Sequence, residues 1–307
     1  MKKAVLITFA LFLTMTQVVN AKNLQARLSY CSFYSPDQGP YIETYLTVEG
    51  HSANFATTQT GVYQSAIEVS LVFRTGDSIR YFDKFTLLSP ETVDTINSVS
   101  NFTDLHRVKL ANGNYQMEMI IKDKNNTTAK PYIVRQDIAI AYFNNVISIS
   151  DIELLSSYKP EEKASPLNKS GYEVVPYVDN FYGQDQNKLS FYCEYYFTSS
   201  VLGTTDFLLN YQIVNFESHK IVDANSSFSR QKPKEVGILL TDFDITDLPS
   251  GNYNLTISIR DKDNNLLAMK ECFFQRSKPL TITDNATSLN FQQLDVSNTF
   301  TAQITSK

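Results

Sequence analysis

The sequence predicts an all-β chain of two tandem sandwich domains, on three observations. One strand-and-turn unit occurs twice: Leu110-Ala-Asn-Gly113-Asn114-Tyr115-Gln-Met117-Glu-Met119-Ile-Ile121-Lys-Asp123-Lys124-Asn-Asn126 returns as Leu248-Pro-Ser-Gly251-Asn252-Tyr253-Asn-Leu255-Thr-Ile257-Ser-Ile259-Arg-Asp261-Lys262-Asp-Asn264. The offset is a constant 138 residues, and eight of the seventeen positions are identical. A period that long exceeds a solenoid repeat and means two copies of one domain. Apolar and polar residues also alternate in short runs, the period of a half-buried strand. Composition agrees: 18 Tyr, 20 Phe, no Trp and 42% hydrophobic residues describe a globular chain weighted toward strand formers.

At the N-terminus, Lys2 and Lys3 precede the apolar run Ala4–Met15, and Val19-Asn20-Ala21 supplies small residues for cleavage. This is the pattern of a secretory signal peptide, residues 1–21, with an uncleaved anchor as the alternative. The run is shorter than the ~20 residues of a membrane span, and no cysteine follows it to take a lipid. The mature chain is therefore expected to start at Lys22, to carry no transmembrane segment, and to be periplasmic, extracellular or on the cell surface. The expected domains are 22–145 and 146–278, followed by a tail, 279–307.

Strands are expected at Tyr41–Val48, Ala66–Arg74, Ile79–Leu87, Tyr115–Ile121 and Ile133–Tyr142 in the first copy. In the second they are expected at Leu189–Thr198, Phe207–Val214, Val236–Phe243, Tyr253–Ile259 and Leu267–Phe274. Ser89-Pro90-Glu91 has the order of a capped helical turn. The copies also share their beginnings. Ser32-Phe33-Tyr34 echoes Asn180-Phe181-Tyr182 at an offset of 148, and Ile42-Glu43-Thr-Tyr45 echoes Cys193-Glu194-Tyr-Tyr196 at 151. Between the copies, the polar, Pro-bearing stretch Tyr158–Ser170 suits a surface loop or linker.

Tyrosine after glycine at the entry to an alternating strand matches the tyrosine corner of immunoglobulin-like sandwiches, where the hydroxyl ties back to the backbone. Tyr115 and Tyr253 are assigned that role, the competing reading being two ordinary half-buried strand tyrosines. The fold class expected is two tandem immunoglobulin-like or fibronectin-III-like sandwiches.

Apparent chemical motifs fare poorly. Gly76-Asp77-Ser78 resembles an esterase nucleophile block but sits where a hairpin turn belongs, with no Asp-x-x-His downstream. Asp261-Lys-Asp263-Asn264 begins like a calcium loop, yet Leu266 replaces the required glycine and Cys272 the bidentate glutamate. Asp242, Asp244 and Asp247 read as a solvated face, not a glycosidase pair. His51, His106 and His219 are scattered, and no Cys-x-x-Cys occurs, so no metal or cofactor is expected. Of three cysteines, Cys193 aligns with Ile42 and reads as a buried thiol; a Cys193–Cys272 disulfide is the oxidised alternative. Outward Tyr192 and Tyr196 read first as packing against the neighbouring domain or linker, with an aromatic platform for a glycan or peptide as the alternative. A net charge of −5 without a basic cluster excludes a nucleic-acid partner.

The runs Ile149-Ser150-Asp151-Ile152-Glu153-Leu154, Asn168-Lys-Ser-Gly171-Tyr172-Glu-Val174-Val-Pro176, Leu189-Ser-Phe191-Tyr192-Cys-Glu194-Tyr195 and Phe274-Gln275-Arg276-Ser277 resemble the N-terminal region of GWxTD-domain proteins of Gram-negative bacteria. The module that names that family carries a tryptophan, and this sequence has none. The resemblance therefore covers the sandwiches and brings no catalytic residue. The expected function is an exported, non-catalytic binding or scaffolding protein whose partner is a protein or cell-surface glycan. The alternative is an accessory portion of a larger GWxTD-type protein.

Overall fold

A computed structural model describes residues 23–163 and 165–278; the signal peptide and tail assignments lie outside them. The first sandwich is built from β1 (Ala26–Ser35), β2 (Gly39–Val48), the short hairpin β3 (Ala56–Thr57) and β4 (Tyr63–Gln64), β5 (Ala66–Thr75), β6 (Ser78–Leu88), β7 (Phe102–Lys109), β8 (Gly113–Asp123) and β9 (Tyr132–Ile140). Its two main sheets run β1-β2-β7 and β6-β5-β8-β9, all antiparallel. Alternation places Ile42, Leu46 and Val48 of one sheet against Val69, Leu71, Met117 and Met119 of the other, all fully or almost fully buried.

The second sandwich comprises β10 (Ser148–Ile149), β11 (Glu153–Pro160), β12 (Asn168–Lys169), β13 (Tyr172–Pro176), β14 (Phe181–Tyr182), β15 (Lys188–Tyr196), the single-turn helix α1 (Thr198–Leu202), β16 (Phe207–Asn215), β17 (Ile221–Gln231), β18 (Val236–Asp244), β19 (Gly251–Arg260) and β20 (Leu266–Arg276). One sheet runs β10-β15-β11-β13-β12 with β18 on the far edge of β15; the other runs β14-β20-β19-β16-β17. Leu189, Phe191 and Cys193 face Leu209, Leu255, Ile257 and Phe274 across its core.

The repeat is topological as well as textual. β8 lies between β5 and β9, and β19 lies between β16 and β20, so Tyr115 and Tyr253 open equivalent strands. Tyr115 Oη donates to the Ala111 carbonyl at 2.9 Å and Tyr253 Oη to the Pro249 carbonyl at 3.0 Å. Both are the tyrosine-corner bond, made four residues upstream in each copy.

Two local expectations are corrected. Ser89-Pro90-Glu91 forms no helical turn: Ser89 Oγ accepts from the Ser65 amide at 2.9 Å, and Thr92 bridges Tyr63. β15 stops at Tyr196, not Thr198, because Phe197 adopts a left-handed φ of 65° and starts α1. Gly76 and Asp77 do connect β5 to β6, with Gly76 at φ 54°, where a glycine carries no Cβ penalty.

Candidate functional site

The sandwiches meet through the outer faces of the β1-β2-β7 sheet and the β15-containing sheet. In a strand, residues two apart share a face, so β2 presents Tyr41, Glu43 and Tyr45 together, and β15 presents Tyr192, Glu194 and Tyr196. Cys31 and Phe33 of β1, Leu155 of β11 and Val174 of β13 complete an apolar frame around them. Glu43 is 0% exposed and Glu194 8%, so two carboxylates are sealed inside this interface. Burying a carboxylate is tolerable only where it is paired or hydrogen-bonded.

The two are satisfied differently. Glu194 Oε1 accepts from Tyr192 Oη at 2.5 Å and Oε2 from Tyr196 Oη at 2.7 Å. Glu43 also takes the tyrosine two residues on, Tyr45 Oη at 2.6 Å, but its other partners are cations: Arg107 Nε at 2.6 Å from β7, and Lys169 Nζ. Lys169 arrives from β12, where Ser170 and Gly171 turn the chain with φ of 52° and 84°. Its ammonium donates further to Glu153 Oε2 at 2.5 Å and Tyr45 Oη at 3.1 Å. It lies 4.2 Å from the Phe33 ring centroid, 5.5 Å from Tyr192 and 5.7 Å from Tyr45, an aromatic cage drawn from both sandwiches.

The electrostatics follow from burial and pairing. Burial opposes the charge on Lys169, but Glu153 and Glu43 outweigh it and hold its pKa above the ordinary lysine value. Burial also opposes ionisation of Glu43, and Lys169 with Arg107 overcomes it, so this pKa is lowered. Glu153 goes the other way: burial dominates, Lys169 pulls down, Glu43 pushes up, and the pKa is raised.

Further bonds tie the same two bodies. Asp151 Oδ2 accepts from both the amide and the hydroxyl of Ser32 at 2.7 Å, while its Oδ1 pairs with Lys270. Arg27 spans Glu49 at 2.6 Å and Asp179 at 2.8 Å. The Tyr34 amide donates to Tyr196 Oη at 3.0 Å. Beside this network the sandwiches leave a cleft of about 350 Å³, with Cys31, Tyr45 and Glu153 in its wall and Arg27 and Asp179 also lining it.

This geometry decides between the sequence readings. Tyr192 and Tyr196 are both 0% exposed and pack on the other sandwich, the packing reading, and no exposed aromatic platform forms. Tyr158–Ser170 is no linker between copies, since it lies within the second sandwich between β11 and β13 and delivers the buried Lys169. Arg276 ends the last strand of the second sandwich, 1% exposed, and donates to the Gly183 and Gln186 carbonyls. The disulfide alternative is not realised: Cys193 and Cys272 are free. Burial raises the pKa of all three thiols, that of Cys272 to about 12, so none is an activated nucleophile.

The remaining candidates stay apart from the interface chemistry. Asp244 caps the Thr246 amide at 2.8 Å, Asp242 accepts from Tyr158 Oη at 3.1 Å, and Asp247 pairs with Lys278. Asp261 accepts from the Asp263 and Asn265 amides, the bonding of a tight turn. His106 stacks on Phe85 and bonds Tyr81 at 2.9 Å.

No protein family and no curated protein matches the chain in sequence. Among solved structures, fibronectin(III)-like modules of Clostridium thermocellum CbhA align over 81% of this chain and 91% of theirs, at 9% identity and a TM-score of 0.19. Salmonella alpha-2-macroglobulin reacted with methylamine aligns over 83% of this chain and 17% of its own, at 10% identity and a TM-score of 0.26. Likeness at that level carries no argument, and the sandwich architecture rests on the sheets and cores of this chain itself.

Proposed function

We propose that this chain is an exported, non-catalytic binding or scaffolding protein of the cell envelope, and a relative of the sandwich region of GWxTD-domain proteins. One observation supports this most directly: the charged residues gathered between the sandwiches hold two bodies together. Lys169 of the second sandwich is locked to Glu43 of the first, Arg107 of the first reaches both Glu43 and the Pro166 carbonyl of the second, and Glu194 is taken up by the hydroxyls of Tyr192 and Tyr196. Catalysis instead needs an acid, base or nucleophile poised toward a substrate, and the thiols are pushed away from reactivity. Two sandwiches fixed in one orientation present their loops and edges as a single surface, on which a protein or cell-surface glycan partner would be recognised.

Fractionation of cells producing the full sequence, with intact-mass analysis, tests the export part. The expected result is a soluble envelope or extracellular species beginning at Lys22. Retention of residues 1–21 on a membrane-bound species overturns it. The non-catalytic part is tested by a broad hydrolase and transferase screen on the mature chain, where turnover abolished by Ser78→Ala or by removing Asp242 and Asp244 would overturn it.

A further inference from the structure

Each sandwich turns the outer face of one four-stranded array away from its core, β6-β5-β8-β9 in the first and β17-β16-β19-β20 in the second. Residues directly opposite across an antiparallel pair share a face. In the second sandwich Leu209, Leu255 and Ile257 point into the core, so their strand neighbours point out. One outward row is Phe228, Asn210 and Ser258; the next is Arg230, Leu208 and Arg260.

The two outer faces treat charge differently. In the first sandwich the charges pair on the spot, Lys84 with Glu68 at 3.0 Å and Arg135 with Glu118 at 2.6 Å. In the second, the arginines have no counter-charge. Ion pairs of arginine among the described residues are made by Arg27, Arg107 and Arg135, and neither Arg230 nor Arg260 is in one. Arg260 donates only to the Asn264 carbonyl of its own turn, at 3.0 Å. Strands lie about 4.8 Å apart, so these two guanidinium groups flank Leu208 at a separation of about 10 Å, in a chain whose net charge is −5. Glu271 sits on the same face but one row beyond Phe228, and accepts from Thr256 Oγ1 at 3.1 Å.

Beside Arg230, Phe228 is 74% exposed. Its neighbours on β17 are serines, too small to cover the ring. Opposite it, the half-buried Asn210 offers an amide that both donates and accepts. A bare ring, an amide and two unpaired guanidinium groups on a flat face suit a ligand with one apolar ring face, many hydroxyls and carboxylates. Guanidinium groups take carboxylates in bidentate pairs. An acidic peptide would instead add to the open edge of β17 through its main chain, which makes no use of the face.

We propose that the outer face of β17, β16 and β19 binds an acidic glycan, a pyranose ring stacking on Phe228 and uronate carboxylates pairing with Arg230 and Arg260. The assignment rests on the glycan-partner reading above and narrows it to one face and one class of sugar.

The test uses the mature chain labelled with 15N at arginine. Oligogalacturonate, oligomannuronate and hyaluronan oligosaccharides are titrated beside maltohexaose, a neutral glycan, and poly-glutamate, an acidic peptide. The expected result is a saturable shift of the Arg230 and Arg260 Nε–H signals, not of Arg135, by at least one uronate oligosaccharide. Half-saturation should fall below about 1 mM, with maltohexaose and poly-glutamate at least ~10-fold weaker. Phe228→Ala and Arg230→Gln alter exposed side chains and leave both cores intact, and each should weaken binding about 5-fold. Arg135→Gln, on the first sandwich, should leave it unchanged. No saturable Arg230 shift with any uronate oligosaccharide, or equal binding of poly-glutamate, would overturn the proposal. Glycan binding that Phe228→Ala and Arg230→Gln both leave intact would overturn this face while the glycan-partner reading stands.

Discussion

β2 and β15 carry the same device in the two sandwiches, Tyr41-Ile-Glu43-Thr-Tyr45 in one and Tyr192-Cys-Glu194-Tyr-Tyr196 in the other. In both, the glutamate points out of its own core and accepts from the tyrosine two residues on, at 2.6 and 2.7 Å. The strands then part ways. Glu194 accepts from phenols of its own strand, which bring no counter-charge, whereas Glu43 is locked to Lys169 and Arg107. A duplicated motif has been completed locally in one copy and across the interface in the other. Period-two geometry dictates the tyrosine contact, so it recurs; the cations come from elements the period does not control.

Substitution should separate the two. Glu43→Ala leaves Lys169 buried with half its counter-charge gone, and breaking a buried pair in this way costs about 3–5 kcal/mol. Lys169→Met should cost as much, since it leaves Glu153 buried without its cation and Glu43 with Arg107 alone. Glu194→Ala removes two charge-assisted hydrogen bonds; Tyr192 keeps Ser170 as a partner, whereas Tyr196 Oη still accepts from the Tyr34 amide but loses the acceptor of its own proton. Its expected cost is about 2–3 kcal/mol. Urea unfolding followed by tyrosine fluorescence orders the three. If Glu194→Ala is the most damaging, the ionic half of the interface is not the stronger one.

The two carboxylates that share Lys169 should respond to pH with opposite signs. The folded-state pKa of Glu43 is lowered, so its contribution is present above the unfolded-state value, about 4.3, and is lost as pH falls through the folded one. The folded-state pKa of Glu153 is raised, so its contribution is complete below the unfolded value and is lost as pH rises through the folded one. The deficit of Glu43→Gln relative to wild type should therefore shrink on acidification. Glu153→Gln, isosteric with the protonated acid, should gain on wild type as pH rises through the folded-state value. Parallel stability–pH profiles for the two variants would contradict this assignment.

Much of the architecture was legible because sheets with one wet face write themselves as alternation. β5, β8 and β16 are of that kind. β1 was missed for a physical reason: its outer face carries Cys31 and Phe33, buried against the second sandwich, so polar residues do not mark it. β17 was missed for the opposite reason. It is an edge strand of mostly polar residues, Ile221–Gln231, with few positions reaching the core. At the interface, the Glu43–Glu194 echo was visible, and the glutamate-to-tyrosine spacing was the signal that both carboxylates have a fixed partner. Lys169 was not legible. It sits in a polar stretch, and polarity in a sequence reads as exposure until a fold supplies buried counter-charges.

The smallest expected difference lies in the two tyrosine corners. The hydroxyl bond is the same in both, four residues upstream, 2.9 Å in one and 3.0 Å in the other. The surroundings differ: Tyr253 is 4% exposed and stacks on Phe274 with centroids 5.6 Å apart, whereas Tyr115 is only partly buried. Removing a hydroxyl leaves the carbonyl acceptor behind, and the cost depends on whether water can replace the lost donor. At Pro249 the bond is partly buried; at Ala111 it is exposed, and water restores it. Tyr253→Phe should therefore cost about 1–1.5 kcal/mol and Tyr115→Phe about 0.5 kcal/mol. Equal losses in paired urea titrations would mean that the corner bond stabilises through strand geometry alone, independent of solvent access.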